Sequence, residues 1–432
     1  MTDSLTVIVD GRIMGEIRKD KRARLTLAYD SDWRQAQDAY PLSLSMPLVV
    51  AEHEHAKIEP WLWGLLPDNE AILARWGQRF QVSPRNPFSL LAHVGEDCAG
   101  AIQIIQPERA DALLMQPAGQ VEWLDDRDIA ERIRLLRADQ AAWRIARDTG
   151  QFSLAGAQPK TALYFGSGRW GIPSGRAPTT HIVKPPIGAF NGHAENEHVC
   201  LALARALGLP AAASQVCVFE GEVAIVVERY DRVPMGDTIR RLHQEDMCQA
   251  LGLPPTGKYE NEGGPGAEPI VELLRTYSGR PIEDVWTFIQ ALALNWLIGG
   301  TDAHAKNYSV LIGAGGRVRL APLYDIASTL PYDFDFKKLR LAMKIGGKYL
   351  LEDIALRQWN KLASSVRLDE EQVRTKCLDL VERLPDALAD VITAARADGL
   401  SNPVLQRLSD ALTARAADCR KILMATQLPE IE

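Results

Sequence analysis

Residues 299–307 have the sequence Gly299-Gly300-Thr301-Asp302-Ala303-His304-Ala305-Lys306-Asn307, a polar loop that begins with a glycine pair. The apolar run that precedes it, residues 291–298, predicts a buried helix that ends at the glycine pair, because paired glycines interrupt helices. A hairpin is predicted after it, since a β-rich run, a glycine turn and an alternating strand follow at 308–312, 313–316 and 317–320. Leu323-Tyr324-Asp325 comes directly beyond that hairpin. The sequence therefore predicts a polar loop between a buried helix and a hairpin.

Acidic and amide side chains along this region have a spacing that is used for phosphoryl transfer. That chemistry requires a carboxylate beside the attacking hydroxyl, and oxygen ligands that hold Mg²⁺ against the β- and γ-phosphates of ATP. Protein kinases supply these groups as Asp, four residues, Asn and, after a short hairpin, a second Asp. Asp302, Asn307 and Asp325 follow this order and indicate an enzyme that uses ATP and Mg²⁺. The alternative is a solvated loop in which Asp302 and Asn307 only cap turns.

Composition limits the class of protein further. The 432 residues, 46% of them hydrophobic, predict two to three domains with sizeable cores. A net charge of −7 argues against a broad basic footprint for nucleic-acid phosphates. The six cysteines are scattered without a CxxC pair, which indicates a reducing compartment. Because the chain shows neither a signal-peptide start nor an apolar run of roughly 18 residues, we expect a soluble, cytoplasmic protein with no membrane contact.

A β-rich front and a helical rear predict a bilobal α+β fold. Alternation around the Asp10-Gly11 turn predicts a hairpin over residues 5–17. Further strands are predicted at 24–29, 100–105, 161–165, 181–184 and 223–227, and helices at 67–80, 126–136, 198–207 and within 369–420. Residues 106–120 are interpreted as a join. We divide the chain into an N-terminal β-rich subdomain (1–110), a lobe with the nucleotide-binding elements (111–235) and a helical lobe (236–432).

A lysine at a strand end is the predicted phosphate ligand. Lys184 closes the apolar strand 181–184 and precedes Pro185-Pro186, so its compact ammonium is placed to meet phosphate oxygens. Glu195 and Glu197 begin the next helix, and either could pair with Lys184; we choose Glu197. The alternatives are an ordinary edge-strand lysine and acidic residues that only stabilise a helix N-terminus.

Two further segments fit the nucleotide side of the site. The small residues of Ser153-Leu154-Ala155-Gly156-Ala157-Gln158-Pro159-Lys160 allow backbone N–H groups to approach an anion. Val226-Val227-Glu228-Arg229-Tyr230-Asp231 ends the last strand predicted before the helical half, where a kinase hinge would meet adenine. A surface ionic cluster at a strand end is the alternative for the second segment.

Several motifs now stand in an order that belongs to one family. They are the Ser153–Lys160 loop, Thr180-His181-Ile182-Val183-Lys184, Glu195-Asn196-Glu197, Val227-Glu228-Arg229-Tyr230-Asp231-Arg232, His243-Gln244-Glu245-Asp246-Met247-Cys248, the Thr301–Asn307 loop and Tyr324-Asp325. Pro41-Leu42-Ser43-Leu44-Ser45-Met46-Pro47 and Leu65-Leu66-Pro67-Asp68-Asn69 complete the set near the N-terminus. Together they resemble the HipA-type serine/threonine kinases, toxin components of bacterial toxin–antitoxin pairs, along nearly the whole chain.

The resemblance implies a protein-kinase-like fold with an extra N-terminal β-rich subdomain and an all-helical C-lobe. It implies Asp302 as catalytic base, Asn307 and Asp325 as Mg²⁺ ligands, Lys184 as phosphate ligand and Ser153 as the autophosphorylated serine. Implied contacts to ATP come from Ala155, Gly156, Ala157, Gln158, Lys160, Lys184, Glu228, Tyr230, Asp231, His304, Asn307 and Asp325. The implied partners are a small helix-turn-helix antitoxin dimer, operator DNA reached mainly through that antitoxin, and a protein substrate of which an aminoacyl-tRNA synthetase is one class.

Other functions compete with a growth-arresting protein kinase. A small-molecule kinase of the aminoglycoside or choline type uses a similar Asp-x₄-Asn pattern, and a co-repressor without enzymatic activity would tolerate the loss of Asp302. Gly252-Leu253-Pro254-Pro255-Thr256-Gly257-Lys258-Tyr259 nearly matches a Walker A loop. Tyr259, however, replaces the Ser or Thr that would bind Mg²⁺, and two prolines remove N–H donors, so we do not assign this segment to phosphate.

Overall fold

The structure, a computed structural model, describes residues 3–115, 119–139, 152–236 and 238–425. The chain divides into two compact units. The first contains Met1–Ile187, Cys217–Thr256 and Ser309–Arg319, and the second contains Gly188–Val216, Gly257–Tyr308 and Leu320–Glu432. The three segments inferred from the sequence, 1–110, 111–235 and 236–432, stay a prediction beside these units.

An antiparallel five-stranded sheet opens the first unit. Its strands, in spatial order, are Glu52–Glu54, Leu25–Tyr29, Arg12–Lys19, Ser4–Val9 and Ile102–Ile105. The predicted hairpin and its turn are confirmed, with Asp10 and Gly11 at φ values of 47° and 75°, as a two-residue hairpin turn requires. The accompanying helices are Ser31–Gln35, His55–Gly64, Glu70–Phe80, Pro87–Val94 and Pro107–Met115. The last of these corrects the interpretation of residues 106–120 as a join.

A six-stranded sheet follows, covered by the helix Asp126–Ala138. Its strands, in spatial order, are Ser214–Phe219, Glu222–Glu228, His181–Lys184, Thr161–Gly166, Arg169–Ser174 and Gln120–Leu124. Ile129 and Ile133 of the helix pack with Leu163, Val183 and Val226 in one hydrophobic core. The helix and the strands Glu222–Glu228, His181–Lys184 and Thr161–Gly166 were predicted. The central strand Arg169–Ser174 and the two edge strands were missed, and each edge strand has only one buried side chain.

Smaller β-elements complete the first unit. A hairpin of Arg232–Met235 and Thr238–Arg241 is followed by a sheet of His243–Asp246, Ser309–Gly313 and Arg317–Leu320, and by the short helix Met247–Ala250. The strands at 309–313 and 317–320 confirm the predicted hairpin. The strand ending at Glu228 is therefore not the last before the helical half, as the sequence had indicated, since three short strands follow it.

The second unit is mostly helical. Its helices are His193–Ala206, Ala267–Tyr277, Pro281–Ile298, Leu356–Ser365, Glu370–Ala397 and Val404–Met424. A hairpin of Arg340–Ile345 and Lys348–Leu350 is also present and adds a small β-element to the predicted all-helical lobe. The helix predicted from His198 begins five residues earlier, after Gly192 in the left-handed conformation. No helix in the described ranges is both long and apolar enough to cross a membrane.

Candidate active site

The loop from Asp302 to Asn307 is fixed by its own hydrogen bonds. The helix Pro281–Ile298 ends at Gly299, whose φ of 65° turns the chain. The main-chain carbonyl of Asp302 then accepts the N–H of His304 at 2.8 Å and the side-chain amide of Asn307 at 2.9 Å. The N–H of Asn307 in turn donates to the carbonyl of His304 at 2.9 Å. The proposed base and the proposed metal ligand therefore belong to one tightly hydrogen-bonded turn.

The Asp302 carboxylate is exposed, and an aromatic side chain holds one of its oxygens. The hydroxyl of Tyr259 donates to Oδ1 of Asp302 at 2.8 Å. The ring of Tyr259 also meets the imidazole of His304 edge-on, with 4.9 Å between the ring centroids. Burial lowers the pKa of His304, although the nearby Asp302 opposes that shift. His304 is therefore mainly neutral at pH 7, and its predicted contact with ATP stays a prediction.

Asp325 has a strained backbone conformation, and the residue before it is hydrogen-bonded to the Asp302–Asn307 loop. Its φ of 57° is left-handed, an uncommon conformation for a non-glycine residue and one that often marks functional sites. The preceding residue, Tyr324, donates its hydroxyl to the main-chain carbonyl of Lys306 at 2.7 Å. The Asp325 segment is thus attached to the loop that carries Asn307, and the Asp325 side chain is exposed.

The oxygen atoms of Asp325 and Asn307 suit a Mg²⁺ ion that is also bound by the phosphates of a nucleotide. Within the described ranges, no group of three His, Cys, Asp or Glu side chains forms an all-protein metal site. Mg²⁺ in phosphoryl-transfer enzymes is instead bound by one or two carboxylates together with phosphate oxygens and water. Asp325 offers such a carboxylate. Asn307 donates through its amide nitrogen to Asp302, which leaves its amide oxygen as the ligand atom.

The predicted phosphate ligand belongs to the first unit. Lys184 ends its strand opposite Ile225, precedes Pro185 and is only 5% exposed. Glu195 and Glu197 are also buried, in the first turns of the helix His193–Ala206 in the second unit. The choice of Glu197 as the partner of Lys184 stays a prediction.

The Ser153–Lys160 loop packs on the N-terminal part of its own unit. Ser153 is fully buried, and its hydroxyl donates to the carbonyl of Leu65 at 2.7 Å. The carbonyl of Gly156 accepts the N–H of Asp68 at 3.1 Å, and the amine of Lys160 donates to the carbonyl of Ala155 at 2.9 Å.

The φ of Gly156 is +101°, and a Cβ there would lie 2.7 Å from the Lys160 amine. The positive φ therefore favours glycine at this position, whereas the Lys160 amine, at the end of a flexible side chain, could move aside. Ala157 and Gln158 complete it, and the Gln158 amide contacts the carbonyl of Pro185 at 3.4 Å.

The three residues of the predicted hinge, Glu228, Tyr230 and Asp231, have different surroundings. Glu228 is exposed at the end of its strand, opposite His181, and Tyr230 donates its hydroxyl to Gln244. Asp231, in contrast, is buried and engaged with Arg229, with Arg232 and with the N–H of Gly100. Burial raises the pKa of Asp231, but the two guanidinium groups hold it below the ordinary value. The Asp231 side chain thus belongs to an internal ion pair, and the predicted approach of this segment to adenine through its backbone stays a prediction.

Sequence reasoning missed Tyr259 as a site residue. The segment that contains it was considered only as a failed Walker A loop. Tyr259 is 43 residues from Asp302 in the sequence, and no local spacing rule connects the two.

Two protein families match the chain. Residues 5–105 match the HipA N-terminal domain, and residues 152–388 match the HipA-like C-terminal domain. A protein of Sinorhizobium fredii, named putative kinase Y4mE, is 36% identical over 418 residues, which cover 95% of this chain and 97% of the relative. The serine/threonine-protein kinase toxin HipA of Shewanella oneidensis is 30% identical over 395 residues, with 88% and 87% of the two chains covered.

One solved structure has the same fold throughout. It is the Shewanella oneidensis MR-1 complex of HipA, HipB and operator DNA, with a TM-score of 0.81 and 25% sequence identity. The match covers 97% of this chain and 99% of that chain. It confirms the predicted α+β fold with an additional N-terminal subdomain.

Proposed function

The chain belongs to the HipA family of serine/threonine-protein kinase toxins, and we propose from this premise that it arrests growth by phosphorylating a cellular protein with ATP. One observation carries the proposal: the turn in which the Asn307 amide holds the Asp302 carbonyl at 2.9 Å, with Asp325 left-handed and its neighbour Tyr324 bonded to the same loop. This arrangement supports a site to which Asp302 contributes a carboxylate and Asn307 and Asp325 contribute oxygen ligands.

Each residue then has a defined task. Asp302 accepts the proton of the attacking serine or threonine hydroxyl as the new O–P bond forms and the bond to the leaving ADP breaks. Asn307 and Asp325 hold Mg²⁺, which when bound neutralises charge on the β- and γ-phosphates. Lys184 binds a phosphate oxygen, the Ala155–Lys160 loop approaches the triphosphate, and Glu228 and Tyr230 border the adenine.

Self-inhibition by Ser153 belongs to the same proposal. A phosphoserine carries nearly two negative charges at pH 7, so it would be repelled from a pocket that binds a triphosphate. Phosphorylation of Ser153 would therefore displace the loop and stop the kinase.

The proposed partners follow from the relative whose complex is known. The S. oneidensis HipA structure contains HipB and operator DNA. We assign this chain an antitoxin dimer of helix-turn-helix type, with operator DNA reached mainly through that dimer. The net charge of −7 supports indirect contact, since neutralising phosphates directly requires clustered Lys and Arg. An aminoacyl-tRNA synthetase is the protein substrate class to test first.

The test is phosphoryl transfer to protein by the parent and by Asp302→Ala, with ATP and Mg²⁺ present. We expect Asp302→Ala to lower turnover roughly 10³-fold, because the base and its positioning are lost together. Asp333→Ala is the matched control, since Asp333 is an exposed carboxylate of the same unit. Full activity of Asp302→Ala would refute the site, and a low-mass phosphorylated product would point to a small-molecule kinase.

A further inference from the structure

The hydroxyl of Tyr259 stands at the carboxylate that the proposed mechanism uses as its base. It donates to Oδ1 of Asp302 at 2.8 Å, while the Asp302 main-chain carbonyl is held separately by His304 and Asn307. The backbone of Asp302 is therefore fixed by its own loop, and Tyr259 acts on the side chain. Since both residues lie in the second unit, this contact is internal to one compact body.

The segment that carries Tyr259 is itself braced against the Asp302–Asn307 loop. The carbonyl of Lys258 accepts the N–H of Ala305 at 3.2 Å, and the carbonyl of Tyr259 accepts the N–H of Gly264 at 2.9 Å. A Cβ on Gly264 would lie 2.2 Å from the carbonyl oxygen of Gly257, so the turn requires glycine there. Tyr259 therefore belongs to a turn that is closed by its own hydrogen bonds.

An ion pair and a hydrogen bond fix the far side of the same segment. Glu260 accepts the N–H of Lys344 at 2.6 Å and lies 3.5 Å from the Lys344 amine. Lys344 belongs to the hairpin strand Arg340–Ile345. Tyr259 therefore sits between a contact to the catalytic loop on one side and an anchored glutamate on the other.

We propose that Tyr259 is a positioning residue for phosphoryl transfer, acting through Asp302; the inference rests on the proposed kinase function. A carboxylate has two oxygens, and a donor on Oδ1 restrains the side-chain rotation while Oδ2 stays available to the attacking hydroxyl. Orientation of this kind is effective because small misplacements of a catalytic group reduce the rate strongly. Tyr259 does not touch the transferred phosphoryl group in this scheme.

The contribution of the Tyr259 hydroxyl to the rate can be measured separately from that of its ring packing. Tyr259→Phe keeps the edge-on contact with His304 and removes the hydroxyl that donates to Asp302. Tyr277→Phe is the matched control, because Tyr277 is 45% exposed at the end of the helix Ala267–Tyr277 in the same unit. We expect Tyr259→Phe to lower kcat roughly 10- to 100-fold with the KM for ATP nearly unchanged, and Tyr277→Phe to match the parent.

A double-mutant cycle tests whether the effect passes through Asp302. In the Asp302→Ala background, adding Tyr259→Phe should cost less than about twofold, because the hydroxyl has no carboxylate left to orient. Equal, additive losses in both backgrounds would overturn the proposal, as would unchanged kcat for Tyr259→Phe alone. Absence of phosphoryl transfer by the parent would instead overturn the kinase function itself, so the two failures are distinguishable.

Discussion

The hydroxyl of Ser153 donates to the main-chain carbonyl of Leu65 across 2.7 Å, joining residues 88 positions apart in the sequence. Ser153 is fully buried, and its own N–H donates to the carbonyl of Asp97 at 3.0 Å. A hydroxyl that is buried and bonded in this way cannot attack the phosphorus of a bound ATP. The loop must leave its packing on Leu65 and Asp97 before Ser153 can be modified.

Ser153→Ala should abolish self-labelling while transfer to another protein continues. The substitution removes the proposed acceptor but keeps a small side chain in the buried site, at a cost of about 1 kcal/mol for the lost hydrogen bond. Mass spectrometry after incubation with ATP and Mg²⁺ locates the phosphate. Ser401→Ala, an exposed serine of the other unit, should label like the parent. Phosphate that persists on a different residue of Ser153→Ala would contradict the proposed switch.

Asn307→Ala should raise the Mg²⁺ concentration required for half-maximal activity. The change removes an amide oxygen ligand and the donor that holds the Asp302 carbonyl at 2.9 Å. We expect a loss of roughly 10- to 100-fold in apparent affinity for the metal, which a Mg²⁺ titration of initial rates measures. Asn360→Ala, in the helix Leu356–Ser365, is the control and should titrate like the parent. An unchanged Mg²⁺ requirement in Asn307→Ala would remove this residue from the metal site.

Glu245 makes the stability of the first unit dependent on pH. It is buried, with Oε1 accepting the N–H of Leu44 at 2.7 Å and Oε2 accepting the indole N–H of Trp61 at 3.1 Å. Burial raises its pKa from 4.5 to about 8, against the opposing hydrogen bonds. The folded state therefore retains the proton longer than the unfolded state. Its contribution to stability is complete below pH 4.5 and is lost as pH rises to about 8.

Replacing Glu245 by Gln removes that titration. Between pH 5.5 and 7.5, the free energy of unfolding of the parent should fall relative to Glu245→Gln by about 2 kcal/mol. Denaturant unfolding curves at the two pH values measure the difference. Glu268→Gln, at an exposed position of the helix Ala267–Tyr277, should follow the parent. Parallel pH dependence in the parent and Glu245→Gln would show that Glu245 is ionised normally.

Local sequence signals predicted the elements whose pattern is strong. The helix before Gly299, the hairpin after Asn307 and the strand that ends at Lys184 were all located, because apolar periodicity and glycine punctuation act over a few residues. The edge strands Gln120–Leu124 and Ser214–Phe219 were missed because each buries only one side chain and therefore lacks the alternation of a half-buried strand. The early start of the helix at His193 was missed because Gly192 precedes it instead of a capping side chain.

The family, the order of the main elements and the spacing of Asp302, Asn307 and Asp325 follow from the sequence alone, since all of these depend on residues close in the chain. Three findings required the folded structure: Tyr259 meets the Asp302 carboxylate, Asp231 belongs to an internal ion pair, and Ser153 is buried with its hydroxyl bonded to Leu65. Tyr259 and Ser153 meet partners that are far away along the chain, whereas Asp231 pairs with its sequence neighbours Arg229 and Arg232 and only its burial depended on packing. A hydrogen bond between residues 43 or 88 positions apart forms only when packing brings them together, and no local pattern encodes that packing.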